Sequence, residues 1–165
     1  MIYETSLRDL LKTCMPVLSD CGPGSVTDIS GLTLQLLGEA IDYCSFCDGV
    51  VFSADPFHEP PEYYDTGISS CIVRDGHVEG MLLMRREDEH RIMPVLLFAA
   101  GDDVRRDIKD LTAFTLEHAL RSYTPDTLVA VPSVNDRIME RLETFYGRYE
   151  SKLMTSVFKT EQTDP

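Results

Sequence analysis

The sequence predicts an α/β domain built on one mixed sheet, with N-terminal helices followed by the order β-β-β-α-β-α-β. Three observations carry that prediction. Asp75-Gly76 stands between two strand-like runs, Ile68 to Arg74 and His77 to Arg86, and this dipeptide has the chemistry of a tight two-residue hairpin turn. A helical pattern from Val104 to Leu120 lies between strand patterns at 91–100 and 127–132; a strand–helix–strand crossover places those two strands parallel. Hydrophobic residues make up 43% and charged residues 26%, the usage of a packed globular chain rather than a disordered one.

The 165 residues suffice for one domain with a substantial core. The expected layout over 1–165 is a helical part at 1–47, a mixed sheet with two packed helices at 48–160, and a tail at 161–165. From Thr5 to Leu18, the apolar residues Leu7, Leu10, Leu11, Cys14, Met15 and Leu18 recur at helical spacing. Thr5 or Ser6 serves as the cap, and Pro16 ends or kinks the helix. Cys21-Gly22-Pro23-Gly24-Ser25 is a break. A second helix is expected after Thr27 or Asp28, with Leu32, Leu36, Leu37, Ala40 and Ile41 on one side. A short β run, Val50-Val51-Phe52, precedes a loop at 55–62 whose three prolines exclude helix and central strand.

Beyond the hairpin, Glu87-Asp88-Glu89-His90 is a polar turn into the third strand. Pro94 within that strand removes a ladder hydrogen bond, so the strand is either locally an edge or bulged there. Gly101-Asp102-Asp103 ends it and opens a helix with Val104, Ile108, Leu111 and Thr115 on one line and Leu116, Ala119 and Leu120 beside it. The acidic residues suit that helix's first turn through its dipole. Asn135 or Asp136 caps a further helix that Gly147 terminates, and a last strand runs from Lys152 to Phe158.

The formal net charge is −13. A surface this negative repels phosphate backbones and excludes general nucleic-acid binding, while favouring a cationic amine or a basic protein partner. No apolar run approaches the roughly 18 residues of a membrane span, and no basic stretch followed by an apolar block begins the chain. The expectation is therefore a cytoplasmic protein without a membrane partner; a homodimer is compatible with it. Five cysteines, Cys14, Cys21, Cys44, Cys47 and Cys71, are an odd number and read as free thiols. The Cys44-x-x-Cys47 pair lacks a second close Cys/His pair, so no metal is expected.

From Ile68 onward the element order resembles the GNAT N-acetyltransferase superfamily. The most specific stretch is Leu128-Val129-Ala130-Val131-Pro132-Ser133-Val134-Asn135, a helix, and Tyr146-Gly147-Arg148-Tyr149-Glu150. The resemblance implies acetyl-coenzyme A bound where strands 91–100 and 127–132 splay. It also implies an acetyl group passed to an amine and a backbone N–H of strand 91–100 polarising the thioester carbonyl. The implied cofactor residues are Ala99, Ala100, Gly101, Val104, Arg105, Arg106 and Asn135. The catalytic candidates are Tyr146 as the acid and Glu79 or Glu87, near the hairpin, as a general base.

Two departures from the family pattern weigh on this reading. The family's phosphate loop is glycine-rich and lies at a helix N-terminus. Here Gly101-Asp102-Asp103-Val104-Arg105-Arg106-Asp107 has one glycine and two carboxylates where phosphate would approach. Each such charge costs on the order of 1–4 kcal/mol at about 4 Å. Arg105 and Arg106 offset this only if they turn toward the ligand; the simpler reading is an acidic helix N-terminus with two solvated arginines. Where many family members carry an acid tyrosine, two turns after Asn135, this chain has Leu142, and Asn135 itself reads most simply as a cap. His58, His77, His90 and His118 are scattered. Two functions follow: an acetyl-CoA-dependent N-acyltransferase, or a non-catalytic GNAT-like binding or assembly module that has lost the phosphate cradle.

Overall fold

In a computed structural model of the chain, residues 2–18, 26–32, 38–39, 64–132 and 159–161 are described. They form a seven-stranded mixed sheet with two long helices. In chain order the elements are β1 (Ile2–Ser6), α1 (Leu7–Leu18), β2 (Val26–Asp28), β3 (Ser70–Arg74), β4 (His77–Asp88), β5 (Arg91–Ala99), α2 (Val104–Ser122), β6 (Leu128–Pro132) and β7 (Lys159–Glu161). Across the sheet the order is β2-β3-β4-β5-β6-β1-β7.

The hairpin forms as its turn chemistry requires. Asp75 and Gly76 both take positive φ, 52° and 77°, and Arg74 pairs with His77. β3, β4 and β5 are consecutive and antiparallel, and β6 lies parallel to β5, as the crossover through α2 demands. Pro94 is accommodated by a bulge. Leu83 pairs with Leu96 and Met84 with Pro94, leaving Val95 as an extra residue. Its insertion turns two successive side chains, Val95 and Leu96, into the same core.

The N-terminus departs from the helical expectation. Ile2–Ser6 is a strand between β6 and β7, antiparallel to both, and Val26–Asp28 adds a short strand against β3. Five residues ahead of an amphipathic helix carry little periodicity; their strand character comes from pairing with β6. Ser6 still acts as the expected cap, accepting the Asp9 backbone N–H at 3.1 Å. The second helix does not start after Asp28 as expected: Ile29–Leu32 form a turn, with the Asp28 carboxylate accepting the Ser30 N–H and the Ile29 carbonyl accepting the Leu32 N–H, both at 3.0 Å. Of its further residues, Gly38 and Glu39 are described, as helix. The run 50–52, the 55–62 loop, Cys44, Cys47, the helix after Asn135 and the strand 152–158 lie outside the described residues.

Both faces of the sheet carry buried side chains. Ile72, Leu82, Met84, Ile92, Leu97 and Val129 meet α1 and α2 through Leu7, Leu10, Ile108, Leu111, Leu116 and Ala119. Cys71, Met81, Leu83, Val95, Leu96 and Phe98 pack on the other face with Ile29 and Tyr64. This alternation is the period-2 geometry of a strand buried on both sides. Two members of the expected apolar lines on α2 fall elsewhere: Val104 and Leu120 are exposed, at 43% and 40%, Val104 as the first residue of the helix and Leu120 because nine residues of 3.6-residue helix set it on the face opposite the buried Leu111.

The C-terminal end of α2 is fixed by Tyr123. Its backbone N–H donates to the Ala119 carbonyl at 2.8 Å, and its hydroxyl donates to the Asp65 carboxylate. Burial first, then the Asp65 bond and charge, raise the Tyr123 pKa, with Arg86 opposing. A tyrosine whose folded pKa is raised gives stability that is complete below its unfolded value, about 10, and lost as pH rises through the folded value. Stability above pH ~10 should therefore fall less steeply in Tyr123→Phe than in the native chain. Urea midpoints measured from pH 9 upward test this, and parallel slopes would refute it.

Candidate functional site

A cleft of about 370 Å³ opens where the β3–β4 hairpin meets the end of β5 and the start of α2. Its walls are Ile72, Arg74, Asp75, Glu79, Asp102, Asp103, Arg106, Asp107 and Asp110. Local strand geometry aims the hairpin residues at it. Ile72 pairs with Gly80 and Val73 with Val78, so Glu79 is the extra residue of a bulge, a device that re-aims a side chain. The Glu79 carbonyl accepts the Ala100 N–H at 2.7 Å, which ties the β5–α2 turn to the same bulge.

The floor of the cleft is an ion cluster. Arg74 forks onto Asp107, Nη2 to Oδ1 at 2.8 Å and Nη1 to Oδ2 at 2.9 Å, and Nη1 also reaches Glu79 Oε2 at 2.8 Å. The Asp107 side chain is 3% exposed and that of Arg74 37%. Asp107 first and Glu79 next raise the Arg74 pKa, so the guanidinium stays charged. Gly101 presses on this cluster: a Cβ there would lie 2.7 Å from Asp107 Oδ2 and 2.8 Å from Arg74 Nη1. A side chain at 101 would have to displace the tips of Asp107 and Arg74, and Gly101 takes no positive φ.

The first turn of α2 is served by its own carboxylates. Asp103 caps it, its side chain accepting the Arg106 N–H at 3.1 Å, which is one of the donors a helix N-terminus would otherwise offer to an anion. One turn further in, the Asp110 side chain is 8% exposed, with Oδ2 3.7 Å from Arg106 Nε. Its Oδ1 is buried, with no hydrogen-bond partner among the described residues. Among the described residues, no group of three His, Cys, Asp or Glu side chains is arranged to hold a metal ion.

The residues expected from the sequence are partly gathered here. Glu79 and Arg106 line the cleft, Gly101 underlies it, and Ala99 and Ala100 lead into it at the end of β5. Val104 and Arg105 are exposed on the first turn of α2 and are not among the lining residues. Asn135 and Tyr146 lie outside the described residues. Glu79, singled out as a base, is held in an ion pair with Arg74. Sequence reasoning missed Arg74, Asp107 and Asp110. A signal for Asp107 was present: it falls one turn before Leu111 and two before Thr115, on the buried stripe of α2, and a carboxylate on a buried stripe calls for a cationic partner.

A second feature lies between β5 and β6. Their parallel pairing is confined to Arg91↔Leu128 and Ile92↔Val129, after which β5 turns to its bulge at Val95 and β6 continues against β1. The two strands share a start and then part.

No family model and no curated protein matches the sequence. Among solved structures, the C-terminal domain (DUF2156) of a candidate lysylphosphatidylglycerol synthetase from Agrobacterium fabrum is similar, with a TM-score of 0.52 and 13% identity. The match covers 93% of this chain and 56% of that one, so the chain spans little more than half the neighbour's length. At that identity the likeness is one of fold.

Proposed function

We propose that this chain is a GNAT-like domain that has given up the coenzyme A phosphate cradle and acts as a binding module rather than as an acetyl-CoA transferase. The observation that supports this reading is the chemistry at the N-terminus of α2. Asp103 accepts one of the helix's first N–H groups, Asp107 binds Arg74 at the floor, and Gly101 lies close against that pair. A pyrophosphate brought to this turn would meet six carboxylates and only two guanidinium groups, a net repulsion for an anion.

A second reading is favoured by the parting of β5 and β6 beside the Val95 bulge. There, a bulged backbone N–H could polarise an acyl carbonyl, and the similar fold belongs to a candidate synthetase of an aminoacylated lipid. On that reading the chain transfers an acyl group from a donor not anchored by phosphate at α2. Calorimetric titration with acetyl-coenzyme A and with coenzyme A separates these readings from the acetyl-CoA enzyme. Neither ligand should give heat or a thermal shift at millimolar concentration. Micromolar binding of either would restore the acetyl-CoA enzyme and, with it, Arg105 and Arg106 as phosphate ligands.

A further inference from the structure

We propose that the cleft at the start of α2 binds a primary alkylammonium group, with Asp110 as the anion that receives it. The proposal rests on the reading that this end of α2 does not hold phosphate. Six carboxylates and two guanidinium groups line the cleft. Arg74 is already committed to Asp107 and Glu79, so the unmet charge lies deeper, on Asp110.

That side chain is 8% exposed, and its Oδ1 is buried with no hydrogen-bond partner among the described residues. A buried anionic oxygen without a donor is unfavourable, and a donor entering from the cleft removes the penalty. Arg106 does not supply it: its Nε stands 3.7 Å from the other oxygen, Oδ2, at the end of a side chain 61% exposed. A distance of 3.7 Å is longer than a hydrogen bond.

The geometry selects among cations. Oδ2 faces Arg106 and Oδ1 is closed to solvent, so a ligand reaches it as the Asp110 side chain turns toward the cleft. A single oxygen without a donor suits the compact ammonium better than the two-pronged guanidinium fork. Ile72 supplies an apolar part of the wall, against which the methylenes behind an ammonium group can lie. The acidic side chains of the cleft form no metal-holding group of three, which disfavours a divalent ion.

The test is calorimetric titration of the full chain with n-pentylamine, 1,5-diaminopentane and Nα-acetyl-lysine amide at neutral pH. Saturable one-site binding is expected, weakened about tenfold or more by Asp110→Asn, as for loss of a charge-assisted hydrogen bond. Glu117→Gln removes the same charge from an exposed pair with Arg121 on the far half of α2 and should leave binding unchanged. Tetramethylammonium, with charge but no donor, should fail to compete on the native chain, a measurement that needs no variant to fold. Preference for the diamine would identify a free amine and preference for the lysine amide a protein side chain; either upholds the site. The proposal is overturned by no saturable binding of any of the three, by binding indifferent to Asp110→Asn, or by equal competition from tetramethylammonium. If coenzyme A binds, the module reading fails instead; if neither coenzyme A nor amines bind, only this proposal fails.

Discussion

Arg74→Met should lower the unfolding free energy by about 3–5 kcal/mol, the cost of leaving a buried charge without its partner. Asp107 is the group left behind. Its carboxylate is 3% exposed and takes two of its hydrogen bonds from Arg74, so truncation strands it away from water. Asp107→Asn should cost less, about 1–2 kcal/mol, because Arg74 is 37% exposed and solvent screens what remains of its charge. Arg74 also keeps Glu79 in that variant. Replacing both residues with apolar ones of similar volume should recover much of the loss, since a buried pair is weak in net terms even when breaking it is costly. Urea unfolding with an unchanged m-value measures each difference. A loss under about 0.5 kcal/mol for Arg74→Met, the level of an ordinary surface substitution, would mean that water reaches Asp107 and the cluster is a surface feature.

Leu111→Ala should cost about 2–5 kcal/mol, the range for emptying a fully buried leucine site. Leu111 is 0% exposed and packs directly over β4: its Cδ1 stands 3.2 Å from the point a Cβ on Gly80 would occupy. That glycine lets the helix sit down on β4, and Leu111 fills the space. Its backbone carbonyl also accepts the Ser70 hydroxyl at 3.1 Å, and Ser70 bonds Thr115 at 3.0 Å. These contacts limit how far α2 can settle into a cavity, which favours the upper part of the range. Leu120→Ala, at 40% exposure on the same helix, should stay within about 1 kcal/mol. Thermal or denaturant unfolding of the two variants side by side checks the contrast. Similar losses in both would show that α2 is not seated through Leu111.

The sequence by itself determined the part of the fold that is written in short-range chemistry. Asp75-Gly76 demanded a turn with two positive φ values and obtained it. The 3.6 period of α2 between two strand patterns required a crossover, and β5 and β6 are parallel. Pro94 required an edge or a bulge; the bulge came at Val95, where pairing with β6 had also stopped. Ser6 capped α1 because a hydroxyl one turn ahead of an apolar helix has a backbone N–H to accept.

Tertiary structure decided whatever depends on a partner distant in the chain. Ile2–Ser6 is a strand because β6, more than a hundred residues later, offers it a ladder; five residues hold no period strong enough to announce that. The nature of the cleft was equally hidden. Asp102 and Asp103 read as helix-start acids, which any helix tolerates in water, Asp107 and Asp110 had no reading of their own, and Arg74 read as the end of a hairpin strand. Only the docking of α2 on β3 and β4 desolvates those charges and sets Arg74 against Asp107. It also leaves Asp110 Oδ1 without a donor among the described residues. A charge becomes a site when burial removes its water and geometry chooses its partner, and neither quantity is a property of any one segment.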